Sequence, residues 1–323
     1  MKAKNVLQSD RVARALTGLD KNAFNRLLEN FTWVYDQMVR KHHKEKGKPK
    51  AEGGRSFGGG RIGSFGSHAD KLLLVLFFLK AYPTEEVMGA FFDIHASTAG
   101  ICLRRFRPIV EDVLGKVGVL PKRKISSLDQ LFTEFPELKE VYIDGTDRPV
   151  QRKQNNKASN KNYSKKKKTH TRKNVTVVGK GKTGDRREIL ILTPTRNGRR
   201  HDKKITDKDQ IYRYLPPELE TYQDTGFQGA NKRNQQQDNP NFHIPKKKSK
   251  NNPLTDNDKF LNQLISSIRV TVEHSNWGLK RLNSIMHTFR HKLSQLDDTC
   301  MLLAAGIWNF HLLHNTPTKT KTA

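Results

Sequence analysis

The sequence predicts an α/β fold, a mixed sheet flanked by helices, preceded by an all-α region with helix-turn-helix character. Three observations lead there. Between residues 10 and 118 the apolar residues recur at helical spacing, interrupted by one stretch rich in Gly and Lys. From residue 138 the texture changes to short strands. A long helix and then an apolar one close the chain.

Residues 10–42 read as helix, with Leu19, Phe24, Leu27, Leu28, Phe31 and Val34 at helical spacings. "KHHKEKGKPKAEGGRSFGGGRIGSFGS" (41–67) reads as a linker or basic arm. Three helices follow between 68 and 118. "HADKLLLVLFFLKAYP" is stopped by Pro83, and "TEEVMGAFFDI" opens on Thr84 as N-cap with acids behind it. "HASTAGICLRRFRPIVEDVLGK" takes Ser97 as its N-cap. The tight "IHAS" turn makes the last two a helix-turn-helix candidate, whose third helix offers Arg104, Arg105 and Arg107. A plain three-helix bundle shares that pattern.

"KEVYIDGT" reads as a short buried strand ending at Asp144. "RKQNNKASNKNYSKKKKTHTRK" (152–173) reads as a solvated basic loop, and "NVTVVGKGKTGDRREILIL" (174–192) as a β-hairpin. "ELETYQDTGFQG" (218–229) offers a fourth strand ending near Asp224, and a polar loop follows it. A long helix is expected from about 256 to 287, and an apolar helix over 298–315. The divisions are an N-terminal helical segment (1–45), a basic Gly-rich linker (46–67), a helix-turn-helix domain (68–118), an α/β domain (138–315) and a tail (316–323).

Composition narrows the partners. Sixty Lys and Arg against 32 Asp and Glu give a net charge of +28 over 323 residues. Such a charge repels itself in a compact fold, so a polyanionic partner is its natural complement. A merely solubilising basic surface is the plainer alternative. Cys102 and Cys300 sit in apolar, helix-like runs and read as reduced core residues of an intracellular protein. The longest apolar run, "LLLVLFFL" (72–79), is too short to span a bilayer, and the N-terminus lacks the apolar core of a signal peptide. No Walker A run, dinucleotide fingerprint or zinc-finger spacing occurs.

Three carboxylates fall at informative places: Asp144 and Asp224 at strand ends, Glu273 on the late helix. Strand ends and a packed helix can converge although their residues are far apart in sequence. With no His or Cys cluster beside them, three such acids suit hard, oxygen-seeking cations such as Mg²⁺ or Mn²⁺. Two ions about 4 Å apart would clamp the attacking and leaving oxygens of a phosphodiester. Each acid also has a simpler reading, Asp144 as a turn residue and Glu273 as a solvated helix acid. Asp147 and Asp185 read as turn or surface acids. Asp202 reads as a support for the site or as the cap of a helix beginning near Lys203. Trp277 reads as a packing residue ahead of a base stacker, and His201 and His274 as polar surface or DNA-contacting residues. The Lys runs at 165–168 and 246–248 read as solvated loops touching phosphate.

"YIDGTDRPVQR", "YQDTGF" and "RVTVEHSNWGLKR" together resemble the three active-site segments of bacterial insertion-sequence transposases of the DDE superfamily. The last resembles the signature Y-(2)-R-(3)-E-(6)-K, with Arg269, Glu273 and Lys280 in its final three places and Ser266 where the Tyr would stand. "GRRHDKK" resembles a further segment carrying His201 and Asp202, with Asn-Gly-Arg in place of the usual Pro-Gly-Ser lead. "TGLDKNAF", "GGGR" and "DKLLLVLFFLKAYPTEEVMGAFFDI" resemble the N-terminal region of the same relatives, so the resemblance covers nearly the whole chain.

The resemblance implies an RNase H-like catalytic domain in which Asp144, Asp224 and Glu273 hold two Mg²⁺ ions, with Mn²⁺ as substitute. It implies double-stranded DNA as partner: the element's terminal inverted repeats and the target. The enzyme would hydrolyse strands at the element ends and join them to target DNA by transesterification, working as at least a homodimer on paired ends. It would be a cytoplasmic, nucleoid-associated bacterial protein with no small-molecule cofactor. The alternatives are a domesticated DNA-binding protein that no longer cuts and a plain nuclease of the same fold.

At about 100° per residue, Leu261, Leu264, Ile265, Ile268, Val272, Leu279 and Leu282 share one stripe of the late helix, expected to pack on the sheet. Arg269, Glu273 and Lys280 fall within about 40° of one another, away from that stripe. Glu273 is thus expected to face the metal ions, with Arg269, Lys280 and Arg281 facing phosphates.

Overall fold

The computed structural model describes residues 1–46, 65–181, 186–230, 241–249, 253–291 and 295–314. Most of the linker expected at 46–67, the hairpin turn with Asp185, and the tail at 316–323 lie outside the described residues. Among the described residues the chain forms two compact units: Met1–Leu120 with the short Leu282–Ser284, and Pro121–Arg281 with the segment that begins at Ile285.

The first unit is all helical: α1 (Ala3–Val6), α2 (Asp10–Thr17), α3 (Lys21–Lys46), α4 (His68–Ala81), α5 (Glu85–Phe92) and α6 (Ala96–Val117). Every residue of α4 from Leu72 to Leu79 is buried. A helix that is apolar all round has no solvent face and must lie inside its bundle. Thr84 caps α5 by accepting from the Val87 N–H, as the sequence predicts. The cap of α6 differs from expectation. It is His95, whose Nδ1 accepts from the Ser97 N–H, and Ser97 falls inside the first turn. The helix then continues through Pro108 and ends at Gly118, whose φ of 77° is cheap only without a Cβ. Cys102 is half-buried and Cys300 buried, both as free thiols.

The second unit is mixed α/β. Its elements are α7 (Leu128–Glu134), β1 (Glu140–Pro149), α8 (Asn156–Asn162), β2 (Tyr163–Ser164), β3 (Thr169–Lys180), β4 (Arg187–Leu192), β5 (Arg196–Asn197), α9 (Asp202–Lys208), β6 (Glu220–Gln223), β7 (Phe242–His243), α10 (Asp256–Lys280), α11 (Asn283–Met286) and α12 (Leu296–His314). The sheet is mixed. β3 lies antiparallel between β1 and β4, β6 runs parallel to β1 on its other side, and β7 runs parallel to β6. β2 and β5 pair with the early part of β3.

Two sequence expectations change here. β1 does not end at Asp144 but runs on to Pro149, because its antiparallel pairing with β3 continues through Pro149↔Thr171. The solvated loop expected at 152–173 is in part ordered: it holds α8 and β2, and β3 starts at Thr169.

Val141 and Ile143 of β1, Val175 and Val177 of β3, Ile205 of α9 and Phe227 form the core on one sheet face. Tyr142, Asp144 and Thr146 alternate onto the opposite face. α10 is fastened on that side by Ser275, whose hydroxyl donates to the Arg187 carbonyl at 3.0 Å. α12 is tied to β4 by Asn309, which bonds both the N–H and the C=O of Ile189 at 2.9 Å. No described helix is long and apolar enough to cross a membrane.

The apolar stripe of α10 packs only in part. Val272 and Leu279 are fully buried, but Leu261 and Leu264 are 45% and 47% exposed. The first half of α10 instead carries a capping box, Thr255 with Asp258, and is tied to Lys246 through Asn262 and Asp258. The helix itself ends at Lys280, short of the expected 287.

Candidate active site

The site grows from a notch in the sheet. β6 pairs with β1 only as far as Gln223↔Ile143, whereas β1 continues for six more residues, from Asp144 to Pro149. Beside Asp144 and Gly145, no strand among the described residues pairs with β1 on the β6 side. Asp224 is the first residue after β6, and its carboxylate caps the next turn by accepting from the Gly226 N–H. A strand that stops while its neighbour goes on is what brings these two acids together.

α10 supplies the next residues. Asn276 Nδ2 donates to Asp144 Oδ2 at 2.7 Å, and Arg269 lies 3.6 Å from Asp144 Oδ1. Thr176, across from Asp144 on β3, shares its one hydroxyl proton between the Asn276 side-chain oxygen at 3.2 Å and the Asp144 carbonyl at 3.3 Å. Arg269, Glu273, Asn276 and Lys280 follow i, i+4, i+7 and i+11 spacing, so they share one helix face. Glu273 is exposed on that face, between the two residues that touch Asp144.

α9 supplies a further acid, Asp202, at its first residue. Its Oδ1 lies 2.9 Å from Lys173 Nζ, and Lys173 also stands 3.7 Å from Asp147. Thus Asp147 is not a surface acid, and Lys173 is a buried cation on β3 rather than a loop lysine.

The charges of this cluster oppose one another. Burial above all pushes the Asp144 carboxyl up to about 6; Arg269 works against that rise, and Asp224 and Asp202 add to it. Burial disfavours the Lys173 ammonium, but Asp202 and Asp147 outweigh it and its pKa is raised. Four acids, Asp144, Asp224, Asp202 and Asp147, thus lie around two resident cations, Arg269 and Lys173.

Lys280 is exposed at the end of α10, and the Arg281 guanidinium lies over the Trp308 ring at 5.7 Å. Trp277 is 65% exposed, so it is not a packing residue; the packing place is taken by Gly278, which lies against Trp308. His201 and His274 are exposed, as are the Lys runs at 165–168 and 246–248. Arg104 and Arg105 are exposed on α6 and Arg107 is half-buried there. Arg269 does not stand free for phosphate, since it faces Asp144. Sequence reasoning missed Lys173 and Asn276. Lys173 had a signal: it is two residues before Val175 and four before Val177, on the same strand face. Asn276 had one too, seven residues after Arg269.

Among the described residues, no three His, Cys, Asp or Glu side chains stand close enough to form a finished metal shell. The donors that are present still fit a hard divalent ion. They are all carboxylate oxygen, and the Asp144 carboxyl is raised partly by its acidic neighbours, a repulsion that a cation would relieve.

Residues 143–309 match a family described as DDE superfamily endonuclease. The chain is also 25% identical over 304 residues to a protein named probable transposase for insertion sequence element IS702, from Microchaete diplosiphon, covering 94% of this chain and 95% of that one. No solved structure is a significant match. The family match begins one residue before Asp144, takes in Asp202, Asp224 and Glu273, and spans more than half of the chain: this protein belongs to the DDE superfamily endonucleases.

Proposed function

We propose that the protein is a transposase that binds the terminal inverted repeats of its own insertion sequence, cuts DNA at the element ends and joins those ends to target DNA. The observation that carries this reading is the meeting of Asp144 and Asp224 at the sheet notch, under a helix face that bears Glu273. The sheet order β4-β3-β1-β6-β7, with β3 the antiparallel member beside β1, supports an RNase H-like catalytic domain. The short α5, the turn at Asp93–His95 and the longer α6 support a helix-turn-helix, with Arg104 and Arg105 on its solvent side.

Asp144 and Asp224, with Glu273 from α10, are the residues that would hold Mg²⁺ or Mn²⁺. When bound, such ions supply Lewis acidity and a more acidic attacking hydroxyl. The rest is the work of the chain. Asn276 fixes the direction of the Asp144 carboxylate. Arg269 favours its ionised form and so keeps it ready to accept an ion. Lys280 holds a phosphate next to the cut bond, and the exposed Lys runs touch phosphate non-specifically. DNA is the double-stranded partner, and two paired ends call for at least two copies of the chain.

The test is incubation of the purified protein with Mn²⁺ and DNA carrying the ends that flank its gene. Cut 3′ ends at the element boundary, followed by joining to a second DNA, are expected. Cleavage without joining would mean a plain nuclease. End binding without either would mean a DNA-binding protein that no longer cuts.

A further inference from the structure

Asp202 enters the notch from the side of the sheet opposite to α10. Its helix α9 is anchored in the core on that side by Ile205, which is fully buried. Gly145, next to Asp144, alternates onto the same side. A Cβ on Gly145 would meet the Asp202 carboxylate at 2.6 to 3.0 Å. A Cβ on Gly226, two residues after Asp224, would meet Asp224 Oδ1 at 2.6 Å and Asp202 Oδ2 at 3.2 Å. Two glycines, one beside each candidate metal ligand, thus leave room for the same third carboxylate.

The two oxygens of Asp202 have different surroundings. Oδ1 lies 2.9 Å from Lys173 Nζ, and Lys173 is only 8% exposed. Oδ2 crowds the same point above Gly226 as Asp224 Oδ1 does. An acid in the first turn of a helix offsets the helix dipole, and Asp202 does so for α9. It is also turned inward over the backbone that follows Asp144. Asp147, the other acid on Lys173, is instead engaged by the Thr171 hydroxyl at 2.9 Å.

We propose that Asp202 is a further ligand of the divalent-ion site, anchored to Lys173 through Oδ1 and offering Oδ2 beside Asp224. Lys173 is then a positioning residue: it prevents the Asp202 carboxylate from swinging out to solvent. The ion would be held from both sides of β1, by Asp202 on the α9 side and by Glu273 on the α10 side. This rests on the reading of Asp144 and Asp224 as the ion-holding pair.

The test is calorimetric titration of the metal-free full chain with Mn²⁺ in the absence of DNA. Asp202→Asn is expected to weaken Mn²⁺ binding tenfold or more. Asp147→Asn removes an equal charge from the same lysine and is expected to stay within twofold of the parent. Asp202→Asn within twofold of the parent, while Asp144→Asn is strongly weakened, overturns the proposal and leaves the site reading intact. Equal weakening in the Asp202 and Asp147 variants also overturns it, since a distant field would then explain both. If Asp144→Asn and Asp224→Asn bind Mn²⁺ as the parent does, the site reading itself fails. A second measurement needs no variant: Fe²⁺ with ascorbate cuts the backbone near its ligands, and cuts are expected around residues 144, 202 and 224. Cuts near 144 and 224 with none near 202 also overturn it.

Discussion

Asn276 on α10 donates to Asp144 Oδ2 at 2.7 Å, while its own oxygen accepts from Thr176, the residue across from Asp144 on β3. One amide thus joins the helix, the central strand and its neighbour at a single carboxylate. Asn276 is only 6% exposed, so none of these bonds is easily replaced by water. Replacing Asn276 by Ala should destabilise the protein by about 1–3 kcal/mol, the usual cost of leaving buried polar groups unpaired. It should also lower cleavage more than DNA binding. Thermal melting beside a gel-shift titration checks both, and an unchanged melt would remove Asn276 from this role.

Asp144→Asn should separate stability from activity. The Asp144 carboxyl holds its proton more tightly in the folded chain, up to about 6, than its ordinary 3.8. Such a group contributes stability at low pH that fades as pH rises from about 4 to about 6. Above that, the ionised carboxylate in the metal-free protein costs at most about 3 kcal/mol. The Asn variant lacks that cost. In a chelator at pH 7.5 it should melt higher than the parent, and below pH 4 the difference should vanish. Cleavage should be lost at every pH.

Metal binding should carry the same pH signature. Below about 6 an ion must displace the Asp144 proton, so Mn²⁺ affinity should fall as pH drops, approaching tenfold per unit. Arg269 holds the Asp144 pKa down, so Arg269→Gln should move this acid limb to higher pH. Titrations between pH 5 and 8 decide it. A limb that stays in place in the Arg269 variant would show that the ion pair has no such effect.

Gly278→Ala should cost stability without touching the chemistry. A Cβ there would strike the Trp308 ring, where α10 packs on α12. Overpacking of this kind costs about 1–3 kcal/mol. A lowered melting temperature with unaltered Mn²⁺ affinity is expected.

Lys280→Ala should weaken DNA binding and reduce the slope of log K against log salt by about one unit, as loss of one phosphate contact would. The side chain is exposed at the end of α10, so melting should not change. A salt slope equal to that of the parent would mean that Lys280 does not meet phosphate.

The sequence by itself determined the order of the main helices and strands, several of their ends and the elements that carry Asp144, Asp224 and Glu273. These are local properties. Thr84 caps α5 because a hydroxyl ahead of acids does so in any context, and Val175–Val178 forms strand because β-branched residues fit a pleated surface. Tertiary structure decided what each side chain meets. A period of 3.6 shows that α10 has an apolar stripe, but not how far the sheet extends beneath it, so Leu261 and Leu264 are exposed while Val272 and Leu279 are buried. Lys173 differs from the lysines of 165–168 only because pairing with β1 carries it opposite Asp147 and under Asp202. β1 continues past Asp144 because β3 is there to accept its hydrogen bonds, and pairing between segments distant in sequence leaves no mark on either one alone.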